Sequence, residues 1–426
     1  MTTSPTQAPP SAGRTDPLPG LDLARPDLHH TLDLQGVFAD LRREHPVSWH
    51  GPKSRPGFWS VTRYADVLRV HRDTEAFTAT HGMTIDSVGA TPDPASGMMV
   101  EVTDPPEHRR LRRAIGGFFG DGAVAAMAPD VEALVRRLLG AVRDRDRPVD
   151  FVAEVATRLP AQVGGLLLGL PPEDLDWISE RSALVFLSGT AVEDGRVVDL
   201  DAQATQANEE LLTYFSKLVR SGRRQTGRRG LVQQLAEGTA SRDGLTKGEV
   251  ILNALNMAIA GTQTTRNSLG NMLLAFVQSP ESFRAVSREP GLVATAVEES
   301  VRWANPVRHL TRVATCDVEL GGQLIQAGDP LVLWQISANR DEQVFPMAHV
   351  FDVRRHPNPH IGFATGVHSC PGSGLARLQM RTVLRVMTEL FSGVETAGVP
   401  ELVRSNFLHG YERLPVRFIA RDEEER

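Results

Sequence analysis

Residues Glu249 to Val277 make the longest helical candidate in this 426-residue chain. They read Glu-Val-Ile-Leu-Asn-Ala-Leu-Asn-Met-Ala-Ile-Ala-Gly-Thr-Gln-Thr-Thr-Arg-Asn-Ser-Leu-Gly-Asn-Met-Leu-Leu-Ala-Phe-Val. The run is apolar on nearly all sides, and such a helix has to be covered all round. It predicts a helix buried through the core, with other helices packed round it. Residues 122 to 280 fit that picture, since Ala/Leu/Val stripes at helical spacing dominate them. The middle of the run, Ala260-Gly261-Thr262-Gln263-Thr264-Thr265, is poor helix sequence. Either the helix widens there, with hydroxyls replacing backbone bonds, or Gly261 only permits close packing. Taken alone, the second reading is favoured.

Short strands are expected at Val47 to His50 and Gly57 to Val61, and helices at Leu32 to Glu44 and Tyr64 to Asp73. A strand-turn-strand pattern centres on Gly321-Gly322, and Arg413 to Phe418 ends in a strand. Residues 82 to 103 read as a long irregular loop, a type that often binds ligands. A break from Ser188-Gly189-Thr190 to Val198 separates two helices. Met1 to Leu28 is rich in Pro, Thr, Ser and Ala without an apolar stretch, so it reads as a flexible lead-in rather than a signal peptide. With two cysteines, Cys316 and Cys370, the chain has no disulfide framework and suits a reducing cytosol. A net charge of −6 argues against general nucleic-acid binding. No apolar run reaches the roughly 20 residues of a membrane span. The arginines at 220, 223, 224, 228 and 229 lack interleaved aromatics and read as a solvated interhelical loop.

The chemistry concentrates in Phe363-Ala364-Thr365-Gly366-Val367-His368-Ser369-Cys370-Pro371-Gly372. Ser373-Gly374-Leu375-Ala376-Arg377-Leu378 then reads as a helix start. A thiol at a helix N-terminus faces unpaired N–H groups and the positive end of the dipole. Both favour the thiolate. Gly366 and Gly372 allow close approach to a flat ligand. Three readings compete: a proximal thiolate to heme iron, a buried structural cysteine, and a zinc site using His356, His360 and His368. Pro357 and Pro359 interrupt those histidines and weaken the last.

The loop resembles the heme-binding signature of the cytochrome P450 family, matching it at Phe363, Gly366, His368, Cys370, Gly372 and Ala376. Ala364 stands where that family more often has glycine. The resemblance runs in order from about residue 30 to 420. It implies a mainly α protein with small β-sheets (α+β), in the family's triangular fold, as one domain over residues 29–426. It implies heme b, with iron held by the Cys370 thiolate. Ala260 and Gly261 would border the heme, and Thr264 would be the alcohol that hydrogen-bonds bound oxygen. Gln263 replaces the family's usual Asp or Glu, and an amide does not readily relay protons. Glu299 and Arg302 match the structural Glu-x-x-Arg motif, with Arg355 as its later partner. His108 and Arg112, one turn apart, would hold the propionates together with Arg312 and His368. Arg109, Arg113, Arg377 and Arg381 would form a basic patch for an acidic ferredoxin.

By the same analogy the substrate pocket draws on Met83, Val88, Phe186, Leu187, Asn256, Val307, Arg308, His309 and Leu408. The expected activity is oxidation of a medium-sized bacterial secondary metabolite, by hydroxylation or epoxidation. The partners would be ferredoxin and ferredoxin reductase, and the enzyme a cytoplasmic monomer. Oxidative ring closure or coupling without oxygen insertion is the alternative, and Gln263 raises its standing. A non-catalytic heme-binding recruitment module is the third reading.

Overall fold

The computed structural model describes residues 16–421, apart from 32, 52–55, 144–146, 194–195, 222–229 and 241–243. Its axis is the helix Lys247–Gln278, 32 residues long. A capping box starts it: the Thr246 hydroxyl accepts from the Glu249 N–H at 3.3 Å, and the Glu249 carboxylate accepts from the Thr246 N–H at 2.7 Å. Helices Arg158–Leu168, Leu175–Leu184, Leu200–Ser221 and Val293–Ala304 pack around this axis, as its all-round apolarity requires. Among the described residues no helix is long and apolar enough to cross a membrane.

Two apolar clusters share the central helix. Val250, Ala254 and Ala258 pack with Leu111, Ile178, Leu211 and Phe215. Leu269, Met272, Leu273 and Phe276 pack with Val131, Val135, Leu139, Leu384 and Met387. The stretch from Ala260 to Ser268 belongs to neither and lines a cavity between them.

Beside the helices lies a five-stranded sheet in the order Val47–His50, Phe58–Val61, Pro330–Leu333, Leu310–Ala314, Phe77–Thr78. Only the Phe58–Val61 and Pro330–Leu333 pair is parallel. The expected turn at Gly321-Gly322 joins strands Val318–Leu320 and Gln323–Ile325. Both glycines are left-handed, with φ of 57° and 78°, as a tight hairpin turn demands. The expected helices and strands near the N-terminus are found within two residues of their predicted bounds. The break before Val198 is a two-stranded hairpin, Thr190–Glu193 with Arg196–Asp199.

The lead-in reading fails for its described part. Leu23 and Ala24 are fully buried in a cluster with Phe38 and Trp334, and the Asn406 amide donates to the Ala24 carbonyl at 2.7 Å. Proline and serine content hid two apolar anchors. Residues 1–15, and the arginines at 223, 224, 228 and 229, lie outside the described residues.

Glu299, Arg302 and Arg355 meet in the core. Both carboxylate oxygens of Glu299 accept from Arg302 at 2.7 Å, and the Arg355 Nε donates to Glu299 at 3.1 Å. Arg302 also donates to the carbonyls of Asn339 and Ala348, at 3.0 and 2.9 Å. This triad ties Val293–Ala304 to the segment that leads into the cysteine loop.

Candidate active site

The loop Phe363–Gly372 is shaped by two left-handed residues. Gly366 has φ 72°, and a Cβ there would sit 2.7 Å from the His71 carbonyl oxygen. That position admits only glycine. Ala364 also has positive φ, 53°, so the glycine more usual there would relieve local strain. The Cys370 N–H donates to the Phe363 carbonyl at 2.9 Å. The Arg377 guanidinium lies over the Phe363 ring, 4.4 Å from its centroid. Helix Ser373–Leu390 begins just beyond.

The Cys370 thiol is pushed above its ordinary pKa, chiefly by burial, while the Gly372 N–H pulls it down. The Gly372 N–H favours the thiolate as expected, and burial outweighs it while no cation is at the sulfur. A cation at the sulfur would reverse that balance. Cys316 is exposed and far from this role.

Cys370 opens on a cavity with about 230 Å³ of free space, far above the ~10–15 Å³ that admits a single water. The central helix supplies Asn256, Ala260, Gly261 and Thr264 to it. A Cβ added at Gly261 would meet nothing within 4 Å, so glycine there leaves room rather than close packing. The helix does not widen. The hydroxyls of Thr262, Thr264 and Ser268 donate to carbonyls four residues back at 2.6, 2.7 and 2.8 Å, adding to the backbone bonds instead of replacing them.

Gln263 does not line the cavity. It is 2% exposed and its amide donates to the Ser179 carbonyl at 3.3 Å. Its amide therefore meets helix Leu175–Leu184 and not the cavity.

His108, Arg112, Arg312 and His368 line the same cavity. The His108 and His368 rings are 4.4 Å apart. Among the described residues, both ring nitrogens of His108 and the Nε2 of His368 are buried without hydrogen-bond partners. Burial, then the neighbouring His368 and Arg112, lower His108 to about 4. Burial lowers Arg312 to about 10. The nearest acid, Asp104, approaches His368 at only 3.9 Å. Four nitrogen-rich groups thus converge where anions are scarce, which suits a pair of carboxylates.

Of the expected pocket residues, Met83, Phe186, Asn256 and Val307 line the cavity, while Val88, Leu187, Arg308, His309 and Leu408 do not. Arg308 donates its Nε to the Leu408 carbonyl at 3.2 Å. His309 accepts from the Ile85 N–H at 3.0 Å and packs edge-on to Trp334. The backbone bridge between Val307 and Leu408 turns these side chains away. Sequence reading missed Glu101, the one acidic side chain among the described residues lining the cavity. Its flanks, Val100 and Val102, are 4% and 1% exposed, and alternation from them would have placed Glu101 outside.

The site suits a group that would bring two carboxylates to His108, Arg112, Arg312 and His368. Among the described residues no three His, Cys, Asp or Glu side chains are placed to hold a metal ion, and His360 contacts Glu298 at 3.1 Å instead. The zinc reading falls. A single cysteine can serve as the protein ligand to a metal bound in a macrocycle such as heme.

A cytochrome P450 family model matches residues 199–402. Cytochrome P450 NovI of Streptomyces niveus is 34% identical over 418 residues, covering 98% of this chain and 99% of NovI. The steroid C26-monooxygenase of Mycolicibacterium smegmatis is 31% identical, covering 92% of this chain and 93% of its own. P450 OxyD, a crystal structure described as involved in the biosynthesis of vancomycin-type antibiotics, aligns with TM-score 0.81 and 33% identity over 94% of this chain and all of OxyD (100%). Fold and site together define a heme-thiolate oxygenase. This chain belongs to the cytochrome P450 family: it is a monooxygenase, and its cofactor is heme b with cysteine-ligated iron.

Proposed function

We propose that this enzyme uses dioxygen and ferredoxin-delivered electrons to hydroxylate or epoxidise a medium-sized bacterial secondary metabolite, with Cys370 as the protein ligand to iron. One observation carries the reading: Cys370, from the loop, and Thr264, from the central helix, face one cavity. When bound, the heme supplies the iron at which dioxygen is activated. His108, His368, Arg112 and Arg312 would hold its propionates. The partnerless nitrogens of His108 and His368 would gain charge-assisted bonds in doing so.

Thr264 holds its proton on the Ala260 carbonyl at 2.7 Å. That bond is surplus to the helix, so the hydroxyl is free to turn into the cavity and pass a proton onward without breaking the backbone ladder. Apolar walls from Val163, Leu167, Val307 and Phe407 keep bulk water from the reacting groups. Arg109 and Arg113 are exposed on helix Glu107–Gly116. They suit an acidic ferredoxin, although Arg377 is committed to Glu298 at 2.7 Å. The likeness to OxyD supports a natural-product substrate, and the two unpaired cysteines support a cytosolic location.

The test is direct. The reduced, carbon monoxide-bound enzyme should show the red-shifted thiolate band, and Cys370→Ser should lose it. With ferredoxin, reductase and labelled dioxygen, substrate should gain one labelled oxygen. Unlabelled, ring-closed product would replace oxygen insertion with coupling. No reductant use above background, with any ligand that perturbs the heme spectrum, would replace the enzyme reading with a recruitment module.

A further inference from the structure

Glu101 stands in a short turn, Val100–Val102, that is fixed to the central helix. The Val100 N–H donates to the Asn253 amide oxygen at 3.0 Å, and that amide donates back to the Met98 carbonyl at 2.8 Å. The turn is therefore held before any ligand arrives. The Asn256 side chain neighbours the Glu101 carboxyl and favours its ionised form, and both residues line the cavity.

Among the described residues no cation pairs with this carboxyl, although His108, Arg112 and Arg312 share the cavity with it. Burial pushes Glu101 up to about 7, and the neighbouring Asn256 side chain only partly offsets that. A carboxyl in an apolar wall without countercharge is costly. Such groups cluster at functional sites.

Asn256, Ala260 and Thr264 recur every four residues and so share one helix face. Asn256 precedes Thr264 by two turns, about 12 Å along the axis. The lining of the same cavity includes the apolar Val100, Leu167, Phe186 and Val307, so a substrate with an apolar body can meet both Glu101 and Thr264.

We propose that Glu101, with Asn256 beside it, selects substrates that carry a basic nitrogen on an apolar body, and pairs with that ammonium group while the body reaches toward Thr264. This rests on the monooxygenase reading and narrows its substrate class. A bound ammonium supplies the missing countercharge.

Heme-loaded enzyme is titrated with octyltrimethylammonium, 1-octanol and octanoate, followed by heme absorption and by calorimetry. The quaternary nitrogen has no lone pair and does not ligate iron. Wild type should prefer the cation over the alcohol by at least about tenfold and bind the anion weakest. Glu101→Gln should lose that preference while binding octanol within about twofold of wild type, which also shows that it is folded. Glu101→Asp, with the charge on a shorter arm, should recover part of it. Equal affinity for cation and alcohol in wild type overturns the proposal. So does a Glu101→Gln enzyme with unchanged ligand ratios, and one that also released more peroxide per reductant would make Glu101 a proton relay. Calorimetry reads the preference whether or not the thiolate band is present, so the two claims fail separately.

Discussion

Gln263 and Glu101 both depart from what their places in the sequence suggest. Gln263 stands one position before Thr264, yet a helix turns successive side chains by about 100°, and it does not line the cavity that Thr264 lines. Its amide ends against the Ser179 carbonyl. Glutamate there would either ionise beside a carbonyl oxygen or stay protonated at the cost of a raised pKa. Gln263→Glu should therefore lower stability by about 1–3 kcal/mol in denaturant unfolding and leave product ratio and coupling efficiency unchanged. A change in product ratio at unchanged stability would return the residue to the oxygen side. Cys370 was legible because a rare residue sat in a patterned loop. Glu101 was not, because one acid between valines looks the same whether its turn faces solvent or a cavity.

Helix Val293–Ala304 shows what spacing conveys between elements and what it leaves out. Glu299 and Arg302 were readable as a pair, three apart, and their common partner Arg355 followed from motif order. The neighbouring Glu298 was silent in the sequence, because adjacent acids do not reveal which element each will meet. It joins this helix to Ser373–Leu390 through Arg377 at 2.7 Å, with His360 at 3.1 Å and Arg381 at 3.6 Å. Burial alone would push its carboxyl up, but hydrogen bonds from His360 and Arg377 outweigh that and hold it at about 2, below the usual 4.5. A lowered acid contributes stability that is fully present above its unfolded pKa and is lost as pH falls toward the folded one. Wild type should lose about 1–3 kcal/mol between roughly pH 5 and pH 2 from this group, after allowance for solvent screening. Glu298→Gln should lack that component while other acids still titrate. Unfolding free energies at a series of pH values check it, and parallel curves for the two proteins would remove Glu298 from the acid response.

Across the whole molecule, the apolar clusters on the two halves of the central helix flank Ala260 to Ser268, a stretch that begins with Ala260 to Thr265, which the sequence marked as poor helix. Its composition suits a cavity wall: small residues and hydroxyls that bond within the helix. The same wall is faced by His108, Arg112, Arg312 and His368, cations and donors whose mutual proximity is unfavourable until carboxylates join them. Heme should therefore stabilise unevenly. A ligand that binds only the native state at a thousand times its dissociation constant adds about 4 kcal/mol overall. Locally, its removal from the holoenzyme should release first the elements that bring the cations, helix Glu107–Gly116 and the loop Phe363–Gly372. The cluster of Val131, Leu139, Leu273, Phe276 and Leu384 is packed by side chains alone and should keep its protection. Amide hydrogen exchange with and without heme separates these regions, since local opening is read segment by segment. A uniform loss of protection would show one cooperative unit, and loss confined to the Leu384 cluster would contradict the placement of the cations at the heme edge.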